Sequence, residues 1–228
     1  MDNLYQLVAE HMADLSLPAA IHAVPSQANY GWYWAYLDLK GKERFGIHFR
    51  LRPEDHPVII RLLVWFLRDA EAADAFQVRL DAGILLAGPV GCGKTTLMKL
   101  CAGLLPADRR PWFKPCRELS LEVETDGPAT ILSYTRHSFD YAQGQPRTYC
   151  FDDLGLERTV NYYGTPINPM ADVLLSRYDY YCSHQMQTLI TTNLNSTQIE
   201  NLYGLRVRSR LREMMSLVAF PSEAPDKR

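Results

Sequence analysis

The stretch Gly88-Pro89-Val90-Gly91-Cys92-Gly93-Lys94-Thr95 constrains this chain more than any other, because it satisfies the pattern G-x-x-x-x-G-K-[ST]. It follows directly on Gly83-Ile84-Leu85-Leu86-Ala87, a short apolar run of the kind that forms a buried strand. Such a loop works only where a strand hands over to a helix. Its glycines let successive N–H groups turn inward as an anion-binding nest, and the helix N-terminus adds partial positive charge. The expected nucleotide-binding set is therefore Gly88, Pro89, Val90, Gly91, Cys92, Gly93, Lys94, Thr95 and Thr96. Lys94 is placed to reach the β- and γ-phosphates of ATP, and the Thr95 hydroxyl to bind Mg²⁺. Cys92 sits where a helix N-terminus lowers a thiol's pKa, which suggests a redox switch, but the variable positions of such loops accept most residues.

A strand-loop-helix start calls for an α/β fold, and the rest of the chain alternates accordingly. Strands are expected at Trp112 to Cys116, Arg147 to Phe151, Thr188 to Thr192 and Ser216 to Phe220. Helices are expected from Lys94 to Leu105 and near 117 to 125, 129 to 139, 168 to 183 and 196 to 214. Upstream, residues 2 to 14 carry apolar side chains at helical spacing. Residues 30 to 52 are aromatic and alternating about Lys40-Gly41-Lys42, which predicts a β-hairpin, and a helix follows from about 57 to 73. The expected organisation is an N-terminal helix/hairpin/helix appendage over 1–72, an α/β core over 73–221 and a flexible tail over 222–228.

Composition narrows the function classes. At 228 residues, with 47% hydrophobic and 22% charged, the chain can bury a full core. A formal net charge of −2 leaves only local basic clusters to argue for nucleic acid. Five cysteines without Cys-x-x-Cys spacing argue for reduced thiols. The first ten residues do not resemble a signal peptide and no apolar run is long enough to span a bilayer, so a cytoplasmic protein with no membrane partner is expected.

Three further motifs carry chemistry. Tyr149-Cys150-Phe151-Asp152-Asp153 is an apolar strand ending in two carboxylates. Asp152 is expected to hold Mg²⁺ with Thr95, and Asp153 to act as base or to orient water. Aspartate is a methylene shorter than glutamate there, which suggests slow or partner-stimulated hydrolysis. Capping of the next segment is the plain alternative. Thr188 to Thr192 is followed by Asn193, whose amide can touch both the γ-phosphate and the attacking water. Asn195 or Ser196 is better placed to cap the following helix. Finally, Arg206, Arg208, Arg210 and Arg212 alternate along a predicted helix, so that Arg206 and Arg210 share one face and Arg208 and Arg212 another. One pair can serve a neighbouring subunit's γ-phosphate while the other faces solvent, an acidic partner or DNA phosphates.

With Gly88 to Thr95, Phe151-Asp152-Asp153-Leu154-Gly155, Ile190 to Asn195 and Arg206 to Met214 assembled, the chain resembles AAA+ ATPases of the DnaC/IstB-like group, the bacterial helicase loaders and transposition helper ATPases. Mobile-element versions share Tyr163-Gly164 and Leu174-Leu175-Ser176-Arg177-Tyr178-Asp179. The resemblance implies a three-layer α/β/α parallel sheet in AAA+ strand order, ATP and Mg²⁺ as cofactors, and homo-oligomers on single-stranded DNA or a helicase; the expected departure from the family pattern is the lack of a C-terminal lid domain after the Ser216 to Phe220 strand. It implies catalytic roles for Lys94, Asp152, Asp153 and Asn193 (sensor 1), with Arg210 as arginine finger and Arg206 in reserve. Arg206, Arg208 and Arg212 become candidate contacts to single-stranded DNA, and a replicative helicase or a transposase the partner.

Two other classes compete. A P-loop kinase needs an arginine-rich lid and an acidic acceptor site, and residues 117 to 147 show Arg136 and Arg147 but no such cluster. A nucleotide-gated switch with little hydrolysis is compatible with Asp153. All three require Lys94, so Lys94→Ala is expected to abolish nucleotide binding in an equilibrium titration. Unchanged affinity would remove the loop from consideration.

Overall fold

The structure is a computed structural model that describes residues 2–19, 21, 24–140 and 144–227. Met1, Ala20, His22 and Ala23 of the N-terminal segment, and Arg228 of the tail, lie outside the described residues. Contacts divide the chain into two compact units, Met1–Leu80 with Thr96–Ala107, and Asp81–Thr95 with Asp108–Arg228.

In the first unit, α1 (Asp2–Ala13) is followed by α2 (Tyr30–Phe45). The second is a helix where the sequence predicts a hairpin. Asn29 caps it, its side chain accepting from the Trp32 N–H at 2.9 Å. The buried positions Tyr30, Gly31, Trp34, Ala35, Leu37, Asp38 and Gly41 follow helical spacing rather than alternation. The apparent period of two came from Trp32 and Tyr36, which stack one turn apart at 5.4 Å between ring centroids. Gly41 is not a turn residue but a point of close approach, since a β-carbon there would lie 1.9 Å from the Phe49 ring. Asp38, 1% exposed, ties the unit together. It accepts from the Leu51 N–H at 2.7 Å and pairs with His11 at 3.0 Å and Lys42 at 2.8 Å.

The helix expected over 57 to 73 is two helices, α3 (His56–Leu67) and α4 (Ala70–Ala73). Arg68 turns left-handed at φ 56, and the Asp69 carboxylate caps α4 by accepting from the Glu71 and Ala72 N–H groups at 3.1 Å. A short polar side chain that satisfies the first amides of a new helix outweighs continuation of the old one.

The second unit is built on five parallel strands: β1 (Gly83–Ala87), β2 (Trp112–Pro115), β3 (Tyr149–Leu154), β6 (Thr188–Thr192) and β7 (Met215–Ala219). Between β3 and β6 in the chain come β4 (Val160–Tyr162) and β5 (Thr165–Ile167), an antiparallel hairpin that the sequence analysis does not anticipate. Its turn is Tyr163-Gly164, with φ values of 48 and 82, the left-handed pair that a two-residue hairpin turn requires.

Sheet order is β2-β3-β6-β1-β7. The helices of this unit are α6 (Cys116–Asp126), α7 (Pro169–His184) and α8 (Ser196–Met214), while α5 (Lys94–Ala102) begins here at Lys94 and Thr95 and its remainder counts with the first unit. Residues 128–134 form a 3-10 turn rather than the expected α-helix, because Gly127 ends α6 at φ 84 and Pro128 restarts the chain. Leu85, Phe151, Leu154 and Ile190 of the sheet pack in one core with Leu119 of α6, Leu174 of α7 and Val207 and Leu211 of α8.

Arg177 of α7 is wholly buried and acts as the clasp of this core. Its guanidinium donates to Thr188 Oγ1 at 2.7 Å, Tyr134 O at 2.8 Å, Gln187 O at 2.8 Å and Arg147 O at 3.1 Å. Its charge centre lies 5.5 Å from the Tyr149 ring. Burial pulls the guanidinium down to about 9, so it stays protonated at neutral pH. Arg177→Leu strands several carbonyls at once, and a loss of about 3 kcal/mol of unfolding free energy in a urea titration is expected. A loss below about 1 kcal/mol would show that the carbonyls find other partners.

Candidate functional site

Parallel register brings the motif-bearing strand ends to one edge. Ala87 at the end of β1 pairs with Thr192 of β6, which in turn pairs with Leu154 of β3. The loop therefore departs beside Asn193 and the two aspartates, at the carboxyl end of the sheet where open α/β folds bind ligands. The Gly88 N–H donates to Thr192 O at 3.2 Å and seals that junction.

The loop has the conformation its glycines permit, with Gly91 at φ 78 and Gly93 at φ 98. Lys94 opens α5 and is 5% exposed. Its ammonium donates to Gly88 O at 3.0 Å, to Pro89 O at 2.8 Å and to Asn193 Oδ1. Asn193 is thus joined directly to Lys94, and the cap of α8 is made by Asn195, which accepts from the Gln198 N–H at 2.9 Å. Cys92 is buried with its sulfur 4.0 Å from Lys94 Nζ.

Asp152 and Asp153 occupy a β-bulge. Phe151 pairs with Ile190 and Leu154 with Thr192, so β3 spends one more residue than β6 over the same step. Asp153 takes the left-handed φ of 57 that the extra residue requires, a conformation Asp tolerates better than most residues. Thr191 holds the bulge from both sides. Its hydroxyl accepts from the Asp153 N–H at 2.8 Å and donates to Asp152 Oδ1 at 2.7 Å. The Thr95 hydroxyl donates to the same Asp152 oxygen at 2.7 Å. Thr191 was not singled out from sequence, although its position as the inner threonine of Thr191-Thr192-Asn193, one strand from the aspartates, is the signal that could have found it.

These residues fit Mg²⁺ and a nucleotide triphosphate. Mg²⁺ keeps several waters and takes one or two protein oxygens besides phosphate, and the Thr95–Asp152 pair supplies that donor set. Among the described residues no group of three or more His, Cys, Asp or Glu is placed to hold a metal by protein ligands alone.

The arginines separate. All four lie beyond Gly204, whose φ of 84 and ψ of 162 break α8 into two helical segments. Arg208 and Arg212 line a mostly apolar cavity of about 850 Å³ that Gly88, Pro89, Asn193 and Phe220 also line. Arg208 additionally pairs with Glu200 at 2.5 Å. Arg210 lies elsewhere, its charge centre 4.2 Å over the Tyr178 ring, and it donates to Tyr178 Oη at 2.9 Å. Arg206 is exposed. Of Arg206, Arg208 and Arg212, the candidate DNA contacts, Arg208 and Arg212 thus share the cavity lining and Arg206 is not part of it.

The tail, in which the sequence offers no packing pattern, contacts the loop: the Lys227 N–H donates to Gly91 O at 3.0 Å. Among the described residues no helix is long and apolar enough to cross a membrane.

Sheet order, loop and strand-end residues together define a P-loop α/β fold. The crystal structure of the DnaC helicase loader shares that fold, matching 83% of this chain and 98% of that chain with a TM-score of 0.50 at 18% identity. Structures of DnaI (20% identity, 61% and 73% coverage, TM-score 0.43) and of RuvB from Thermotoga maritima (20%, 72% and 44%, 0.42) are also similar. No family profile and no curated protein sequence matches the chain.

Because Thr191 holds both Asp152 and the Asp153 amide, Thr191→Val should leave the fold intact by circular dichroism and weaken the Mg²⁺ dependence of nucleotide binding. A variant with the wild-type Mg²⁺ dependence would show the bulge to be held by the backbone alone.

Proposed function

We propose that the chain binds and hydrolyses ATP with Mg²⁺, as an AAA+ protein of DNA replication that works like a helicase loader, assembling as a homo-oligomer on single-stranded DNA or a helicase. The observation that carries the reading is the chain of hydrogen bonds from Asn193 to Lys94 and from Thr95 through Asp152 to Thr191. These bonds gather five residues of the loop and of two neighbouring strand ends at the carboxyl end of the sheet.

In this reading the loop N–H groups and Lys94 hold the polyphosphate. Mg²⁺, when bound by Thr95 and Asp152, neutralises charge developing on the phosphoryl oxygens. Asn193 orients the γ-phosphate and a water. Asp153 accepts the water's proton as general base, and the bulge that carries it sets its reach. Arg210 is the residue offered to a neighbouring subunit. Residues 1–72 are a docking appendage for the helicase, and the chain acts in the cytoplasm. A transposase is the alternative partner; retention of the genome-neighbouring helicase, and not the transposase, in a pull-down is the expected result.

A nucleotide-gated switch with little hydrolysis is the second reading, favoured by the constrained backbone of Asp153. Single-turnover hydrolysis with the oligomer and DNA present separates the two. Arg210→Ala is expected to bind ATP normally and to lose about tenfold or more of turnover where the protein oligomerises. Wild-type turnover in that variant would remove Arg210 from the active site. Affinity for single-stranded DNA should require ATP and fall steeply between about 50 and 200 mM salt. Salt-independent binding would redirect the arginines to a protein partner.

A further inference from the structure

The last described residues come back to the phosphate loop. After β7 the Phe220 N–H donates to Ala87 O at 2.9 Å, and the Ala224 N–H closes a turn onto Pro221 O at 3.1 Å. The chain then runs beside Gly91 and Cys92. There the Lys227 N–H donates to Gly91 O at 3.0 Å and the Lys227 ammonium to Cys92 O at 2.8 Å. The same ammonium lies 4.9 Å from the centre of the Phe220 ring. The Asp226 carboxylate covers Gly91, where an added β-carbon would lie 2.2 Å from Asp226 Oδ1. Gly91 is therefore required twice, by its φ of 78 and by the strap that lies on it.

Resting the reading on an ATP site at Gly88 to Thr95, we propose that Lys227 is a second nucleotide-binding cation, delivered to the loop by the chain's own tail. The two ammonium groups are held alike. Lys94 bonds the carbonyls at the start of the loop, Gly88 and Pro89, and Lys227 bonds the carbonyl of Cys92 further along it. A lysine ammonium sits on a flexible four-carbon stem, so rotation about that stem exchanges a neutral carbonyl for a phosphate oxygen. The bond so formed is charge-assisted and stronger than the one given up. The backbone bond from Lys227 to Gly91 O keeps the stem's base at the loop during that exchange. Asp226 opposes the effect, since its charge has the sign of the phosphates, and the balance between the two neighbours sets how much the strap contributes.

The test is equilibrium titration of the full chain with a fluorescent ATP analogue, alongside thermal unfolding without nucleotide. Lys227→Ala should weaken ATP binding by about threefold to tenfold, the range of one partly exposed charge-assisted contact, at an unchanged unfolding temperature. Lys227→Arg should retain most of the affinity, and Asp226→Asn should raise it. Wild-type affinity in Lys227→Ala would overturn the proposal. So would tighter binding in Lys227→Ala, which would make the strap a plug over the loop. If the wild-type chain itself binds no analogue, the ATP reading of the loop fails, and the strap proposal with it; if the wild-type chain binds and Lys227→Ala binds equally well or better, the strap alone fails.

Discussion

The structure of the site depends on one carboxylate. Asp152 accepts two hydroxyl hydrogen bonds, from Thr95 at the start of α5 and from Thr191 on β6, while sitting in a bulge of β3. A strand end with an ordinary register would alternate its side chains to opposite faces. The bulge instead spends an extra residue at the edge, and Asp153 meets the requirement with a left-handed backbone. Thr191 makes the arrangement definite, because its single hydroxyl both receives the Asp153 amide and reaches Asp152. Sheet, helix N-terminus and carboxylate are thereby tied at one point.

A buried cation plays the corresponding structural part in the core. Arg177 is satisfied by three carbonyls and a hydroxyl, with its charge centre over the Tyr149 and Phe151 rings. Such a group fits only if the 3-10 turn at 128–134, the start of β6 and the segment before β3 all arrive together. It therefore links the path of the chain to the position of the strands that carry Asp152 and Asn193.

Much of the site was legible in the sequence because its signals are local. The loop after β1, the aspartates ending β3 and Asn193 beyond β6 each combine a strand's apolar run with the polar residue at its end, and parallel register then assembles them. Asn195 rather than Asn193 caps α8, as its position one residue before Ser196 suggests. What the sequence did not reveal depends on neighbours distant in the chain. Alternation in residues 30 to 52 imitated a strand because Trp32 and Tyr36 stack on the helix surface, and only burial of Trp34, Leu37 and Asp38 identifies the helix. The 57–73 helix was interrupted by a cap whose strength depends on Asp69's geometry. The Tyr163-Gly164 turn, the bulge at Asp153 and the tail's return to Gly91 are likewise matters of φ and of contacts across tens of residues, which no spacing rule contains.

The central claim is that Thr95 and Asp152 form a Mg²⁺ site for a nucleotide held by the loop. The most direct measurement is calorimetric titration of the wild-type chain with ATP, with Mg²⁺ present and with Mg²⁺ removed by chelation. Saturable one-to-one binding that weakens by about tenfold or more without Mg²⁺ is the predicted result, a metal contribution of about 1.4 kcal/mol or more. Absence of binding in both conditions, or equal affinity in both, would contradict the account.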